Sequence, residues 1–140
     1  MKSHIAWTIK SELSNIPGLN MEFNAFAQRM GIDNPLRRRV NLVFDELINN
    51  IVSYGYPDQG EHTIHISVGI VNSRLKITIE DDGIAFNPFE APEPEISQEL
   101  EARQIGGLGI YLIRHLMDEI HYAREHGNNI VTVFLKLNEK

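Results

Sequence analysis

The chain switches repeatedly between two hydrophobic periods, and the switches lay out its elements. Loose alternation over residues 4–12 predicts an edge strand, broken by Pro17 and Gly18. A helical period then puts Leu19, Phe23, Phe26, Ala27 and Met30 on one side of a short helix over about residues 19–30, stopped by Gly31. Asp33 or Asn34 is suited to cap the next helix, with Pro35 in its first turn, and the apolar period continues to about Tyr54 and Gly55. Its apolar stripe is Leu36, Val40, Val43, Phe44, Leu47, Ile48 and Ile51. Pro57-Asp58-Gln59-Gly60 reads as a turn.

Strict alternation follows over residues 63–71 and again over 74–81, separated by Asn72-Ser73, which predicts a hairpin. Residues 87–105 break every period: they hold Pro88, Pro92 and Pro94 and a run of glutamates from Glu90 to Glu101, a composition suited to a mobile loop. A third helix is expected from Gly107 to about Met117, then a closing pair of strands over 119–125 and 129–137 around Gly127. The fold class this implies is α+β: a two-layer sandwich, with three helices on one face of a mostly antiparallel mixed sheet, formed as one domain over residues 1–140.

Composition narrows the function classes. Cysteine is absent, which excludes disulfides, cysteine nucleophiles and thiolate metal sites and fits a reducing compartment. A formal net charge of -6 argues against nucleic acid as a ligand, while leaving room for one small anion held by local backbone donors. No apolar run approaches the roughly 20 residues that a membrane-spanning helix needs. The N-terminal residues carry no apolar leader segment, so the chain is expected in the cytoplasm, away from membranes. Among the histidines, His62 and His65 are three apart on a strand and His115, His121 and His126 lack ligand spacing, so metal binding by histidine is not expected. Arg37-Arg38-Arg39 reads as the solvated start of a helix.

Three short segments carry candidate chemistry. On the long helix, Glu46 and Asn50 are four apart and stack at the edge of the apolar stripe, whereas Asp45 and Asn49 fall toward solvent. A carboxylate there can take a proton, and an amide oxygen can ligate a hard cation such as Mg²⁺. At the end of the second hairpin strand, Asp81-Asp82-Gly83-Ile84-Ala85 places a carboxylate beside bare backbone, which suits either a turn or a contact to an exocyclic amine. Gly106-Gly107-Leu108-Gly109 opens the third helix, where backbone N–H groups and the helix dipole favour an anion. It is neither a Walker A loop nor a dinucleotide fingerprint.

Taken together, Glu46…Asn50, Asp81-x-Gly83-x-Ala85 and Gly107-x-Gly109 before a helix resemble, over about residues 35–137, the GHKL or Bergerat-fold ATPases. The short length, Phe44-Asp45-Glu46 and Gly106 to Ile113 followed by Leu116 to Ile120 are most similar to the bacterial anti-sigma-factor serine/threonine kinases within that group. The resemblance implies that Glu46 is the general base and Asn50 a ligand of ATP-bound Mg²⁺. It implies that Asp81 reads the adenine amine, that Gly83 and Ala85 lie at the base, and that Gly106, Gly107, Leu108 and Gly109 face the phosphates. Residues 87–105 would form the ATP lid, and Arg103 at its end is one candidate for reaching a γ-phosphate. Three positions depart from the pattern. Ile105 stands where many members have the first glycine, Ala85 replaces a glycine, and Asn128-Asn129 occupy the place of a threonine near the adenine, with Thr132 as another candidate.

The function this implies is phosphorylation, with ATP and Mg²⁺, of a small anti-anti-sigma-type protein, with a sigma factor as a second partner and a homodimer left open. Two rival readings stand beside it: an ATP-dependent partner-switching module with little kinase activity, and a stand-alone histidine-kinase-like ATPase. Loss of phosphoryl transfer with retained ATP binding in Glu46→Ala separates the kinase from the binding module.

Overall fold

The structure is a computed structural model describing residues 3–58, 60–90 and 107–137. Five strands form one sheet: β1 (His4–Lys10), β2 (Thr63–Val71), β3 (Arg74–Asp81), β4 (Glu119–Glu125) and β5 (Asn128–Lys136), in the spatial order β1-β2-β3-β5-β4. Every pairing is antiparallel, which corrects the expectation of a mixed sheet. All of the neighbours except β3 and β5 are either joined by tight turns or, for β1, added at the edge. The β2–β3 turn is Asn72-Ser73, with φ of 52° and 64°, the positive pair that a two-residue hairpin needs to follow the sheet's twist.

The helices are α1 (Ile16–Arg29), α2 (Asn34–Tyr54) and α3 (Gly107–Leu116). Pro17 and Gly18 do not break the chain before α1; they lie in its first turn, where the N–H that proline lacks would have no helical partner. A short 3₁₀ turn, Leu13–Asn15, leads in. Asp33 caps α2: its Oδ1 accepts from the Leu36 amide at 3.0 Å, and Pro35 follows in the first turn.

The core lies between the helices and one face of the sheet. The α2 stripe foreseen from the sequence is buried from Leu36 to Ile48, while Ile51 is half-buried. Phe44 meets Phe23 of α1 edge-on at 5.6 Å and Trp7 of β1 at 6.5 Å, tying both helices to the sheet edge. On the sheet side, Ile64, Ile66, Val68, Leu75, Ile77, Ile79, Val131, Val133 and Leu135 supply the alternate inward positions. Among the described residues, no helix is long and apolar enough to cross a membrane.

Candidate nucleotide site

The second half of α2 crosses the C-terminal end of β3 and the start of β5, and a pocket of about 520 Å³, counting its open mouth, lies between them. From α2 come Leu47, Asn50, Ile51 and Tyr54, spaced i, i+3, i+4 and i+7 on one helical face. From the sheet come Ile79, Asp81, Asn129 and Val131, and the chain after β3 adds Ile84, Phe86 and Pro88. The lining is therefore an apolar slot with a few polar groups, the usual form of a small-molecule site.

Asp81 is the polar end of that slot. It is only 4% exposed. Its Oδ1 accepts from the Gly83 amide at 2.9 Å and from Asn129 Nδ2 at 3.1 Å. Among the described residues, Oδ2 takes no hydrogen bond, so the carboxylate keeps an acceptor for a ligand. Burial pushes the acid's pKa above the ordinary aspartate value, against the opposing pull of the Asn129 and Gly83 hydrogen bonds. Asp82 faces away, as the sequence suggested: its side chain is exposed and lies 3.7 Å from His62 Nδ1. That histidine stacks on the buried Tyr56 ring at 3.9 Å and bonds Asp58.

Gly83 stands at a tight backbone crossing. A side chain there would start 2.6 Å from the Gly55 carbonyl oxygen and 3.0 Å from Asp81 Oδ1. The glycine lets the chain after β3 cross the end of α2 in contact, where Ile84 N–H donates to Gly55 O at 2.9 Å. Gly83 does not line the pocket, and Ala85 is exposed and also outside it.

Asn50 lines the pocket wall, whereas Glu46, one turn earlier on α2, does not. Glu46 lies instead against Gly109 in the first turn of α3: a side chain at 109 would start 2.1 Å from the Glu46 carboxyl carbon. Partial burial, and after it the neighbouring Asp45 charge, raise the Glu46 pKa above the usual glutamate range. Asp45 itself is exposed and accepts from Asn20 at 2.9 Å, matching its expected solvent side. Gly107 opens α3 and Gly109 is buried. Gly106, Arg103 and most of the expected lid, residues 91–105, lie outside the described residues.

The arrangement has an apolar slot for a flat ring, a buried acceptor at its end, an amide on its wall, and a carboxylate of raised pKa beside a helix start. A family described as the histidine kinase-like ATPase domain matches residues 9–135. This chain belongs to the histidine kinase-like ATPase family. Membership gives the chain ATP as its nucleotide. The residues present fit that ligand, since a buried carboxylate with one open oxygen and apolar walls suit an aminopurine.

The family match has named relatives. The chain is 34% identical over 98 residues to a serine/threonine-protein kinase, BtrW, of Bordetella bronchiseptica, an alignment spanning 70% of this chain and 69% of that protein. It is 28% identical over 132 residues to the serine-protein kinase RsbW of Bacillus mycoides, spanning 91% and 81%. Its fold matches the crystal structure of the RsbU and RsbW domains of Rv1364c from Mycobacterium tuberculosis with a TM-score of 0.69 at 13% identity. That match covers 98% of this chain and 33% of the other.

Sequence reasoning underrated two groups. It noted Asn129 only as the occupant of a threonine's place, although Asn129 is 4% exposed and hydrogen-bonded to Asp81. The signal was the register: β5 pairs with β3 so that Asn129 stands directly opposite Asp81. It also missed the apolar lining from Ile51, Tyr54, Ile84 and Phe86, which needed the crossing of α2 over β3 to become visible.

Proposed function

We propose that the protein is an ATP-dependent serine/threonine protein kinase of the anti-sigma-factor type, formed as one domain over residues 1–140 and acting in the cytoplasm. The observation that carries this reading is the pair on successive turns of α2: Asn50 in the wall of a pocket ending in the buried Asp81, and Glu46 against the first turn of α3. The relatives named as protein kinases support it.

In this reading Asp81 accepts a hydrogen bond from the adenine amine. Gly106, Gly107, Leu108 and Gly109 offer backbone N–H groups and the positive end of the α3 dipole to the phosphates. The amide oxygen of Asn50 would hold Mg²⁺, which, when bound, neutralises phosphate charge. Glu46, whose pKa is raised, takes the proton from a substrate hydroxyl. The substrate is a small anti-anti-sigma-type protein and the second partner a sigma factor, so the effect on transcription is indirect. The protein acts alone or as a homodimer, with neither nucleic acid nor membrane as a direct partner.

Incubation with ATP labelled at the γ-phosphate and a candidate anti-anti-sigma protein tests the reading. Label on a serine or threonine, lost in Glu46→Ala while ATP still binds, is the expected result. Equal labelling by the Glu46→Ala protein would remove Glu46 from the mechanism, and ATP binding with no labelled partner would favour a switching module.

A further inference from the structure

Asn129 uses all of its side-chain hydrogen-bonding capacity. Nδ2 donates to Asp81 Oδ1 at 3.1 Å and to the Ile84 carbonyl at 2.8 Å. Oδ1 accepts from the Phe86 amide at 3.3 Å and from the Tyr122 hydroxyl at 2.5 Å. A primary amide has two donor hydrogens and two acceptor lone pairs, so none is left over.

These partners belong to two different parts of the pocket. Asp81 is its polar end, while Ile84 and Phe86 form an apolar wall. That wall is not held by core packing, because Ile84 is 50% and Phe86 49% exposed. Its backbone is held from β4 and β5 instead: by Asn129, and by Arg124 Nη1, which donates to the Gly83 carbonyl at 2.8 Å. The Ile84 amide on Gly55 O, at 2.9 Å, fixes the other side.

We infer that Asn129 is a positioning residue that sets the base selectivity of the pocket by fixing the Asp81 carboxylate and the Ile84–Phe86 wall as one unit. The inference rests on the adenine reading of Asp81 given above. With two donors on Oδ1, rotation of the Asp81 carboxylate would break both bonds, so Oδ2 stays on the ligand side. A carboxylate oxygen held there accepts from the exocyclic amine of adenine and opposes the ring carbonyl that guanine presents at the same place. Discrimination therefore depends on the carboxylate keeping its orientation and on the wall keeping the slot's width. A site built around a particular polar pairing rejects the mispaired analogue because its own buried group is then left unsatisfied.

Asn129→Asp gives a readout that a purely structural residue would not move. The variant keeps the size and shape of the side chain but sets an oxygen where Nδ2 faces both Asp81 and the Ile84 carbonyl. Two carboxylates about 3 Å apart do not both stay ionised, so the pair shares a proton, and the protonated acid can again donate to its neighbour. Asp82, Tyr56 and Arg124 border the same carboxylate in both proteins. Tyr122→Phe removes only the hydroxyl on Oδ1, leaving the Asp81 contact intact.

The experiment is calorimetric titration of ATP and of GTP into the wild-type protein, Asn129→Asp and Tyr122→Phe at pH 6 and pH 8, with a thermal melt of each. The wild type is expected to prefer ATP at both pH values. Asn129→Asp should bind ATP about tenfold more weakly at pH 8 with a narrowed ATP preference, and should recover part of both at pH 6, because one O–H restores the Asp81 contact while the Ile84 contact stays lost. Tyr122→Phe should weaken both nucleotides about threefold and keep their ratio. An Asn129→Asp protein with wild-type affinity and selectivity at both pH values overturns the inference. So does one weakened equally at both pH values with its selectivity intact, since that is a structural effect alone. If Asn129→Asp fails to fold, unchanged affinities in Tyr122→Phe overturn it. A wild-type protein that does not bind ATP is a different failure, of the nucleotide reading itself.

Discussion

The carboxylate of Glu46 occupies the space where a side chain at Gly109 would begin. A Cβ at 109 would lie 2.1 Å from both Cδ and Oε2 of Glu46 and 2.4 Å from its Cγ. Two segments of α2 and α3, far apart in sequence, are thus fitted to each other at the atom that the kinase reading assigns to proton transfer. Gly109→Ala should accordingly displace Glu46 without harming the fold. Alanine is the better helix former by about 1 kcal/mol, which offsets part of the local strain. Thermal melting is expected to shift by only a few degrees, while phosphoryl transfer falls about tenfold or more. Full activity in a folded Gly109→Ala protein would show that this contact has no part in the chemistry.

Glu46→Gln keeps the shape of the side chain and removes the base. Its transfer rate is expected to fall by about 10²- to 10⁴-fold, with ATP affinity within about twofold of the wild type. Burial and Asp45 raise the Glu46 pKa, so the acid limb of the wild-type pH–rate profile should lie above the ordinary glutamate value of 4.5 and vanish in the variant. Steady-state rates between pH 4.5 and 8 measure both.

Asp81→Asn separates binding from stability. Replacing the acceptor leaves the adenine amine facing an amide, which costs about 1–3 kcal/mol of binding, read by titration calorimetry. Stability should move the other way. Burial holds the folded pKa of Asp81 above its unfolded value of 3.8, so the folded chain binds more protons across the interval between them. The charged carboxylate therefore penalises folding above the folded pKa, and the penalty is relieved as pH falls through that pKa toward 3.8. Removing the charge should leave the variant at least as stable near neutral pH, with a flatter pH dependence of its melting temperature. A variant that melts well below the wild type at pH 7 would contradict this.

Gly83→Ala tests the chain crossing. The new Cβ would sit 2.6 Å from the Gly55 carbonyl oxygen, a backbone atom that cannot move aside cheaply. The Ile84–Gly55 hydrogen bond would be strained with it. A loss of about 1–3 kcal/mol in denaturant unfolding is expected, together with weaker nucleotide binding because the Ile84 wall moves. Unaltered stability would mean that the crossing is looser than described.

Much of this was legible in the residue pattern, for identifiable reasons. The hairpin over 63–81 was readable because period two is a sharp signal and Asn72-Ser73 suits positive φ. A cap at Asp33 or Asn34 was readable because short polar side chains just ahead of Pro35 suit that role, and the Leu36 amide on Asp33 selects between them. The start of α1 was not: Pro17 and Gly18 are breakers in most contexts, and only the packing of Ile16 and Leu19 into the core shows that they lie inside a first turn. The candidates Glu46, Asn50 and Asp81 could be proposed from spacing together with the family resemblance. What spacing could not supply was contact between distant segments: Gly83 on Gly55, Gly109 on Glu46, and Asn129 on Asp81. Such pairs depend on how elements cross, which local periodicity does not encode.

The Asp81–Asn129 pairing also orders events in time. It joins β3 to β5, strands adjacent in space whose paired residues are 48 positions apart in the chain. The β2–β3 and β4–β5 hairpins are local and can form early, whereas closing the long loop between them carries the larger entropic cost. Nucleotide competence should therefore arrive only when the two hairpins join, after each has formed. During refolding, sheet signal should precede the ability to bind ATP, and ATP, by binding only the closed form, should act as a thermodynamic latch on that seam.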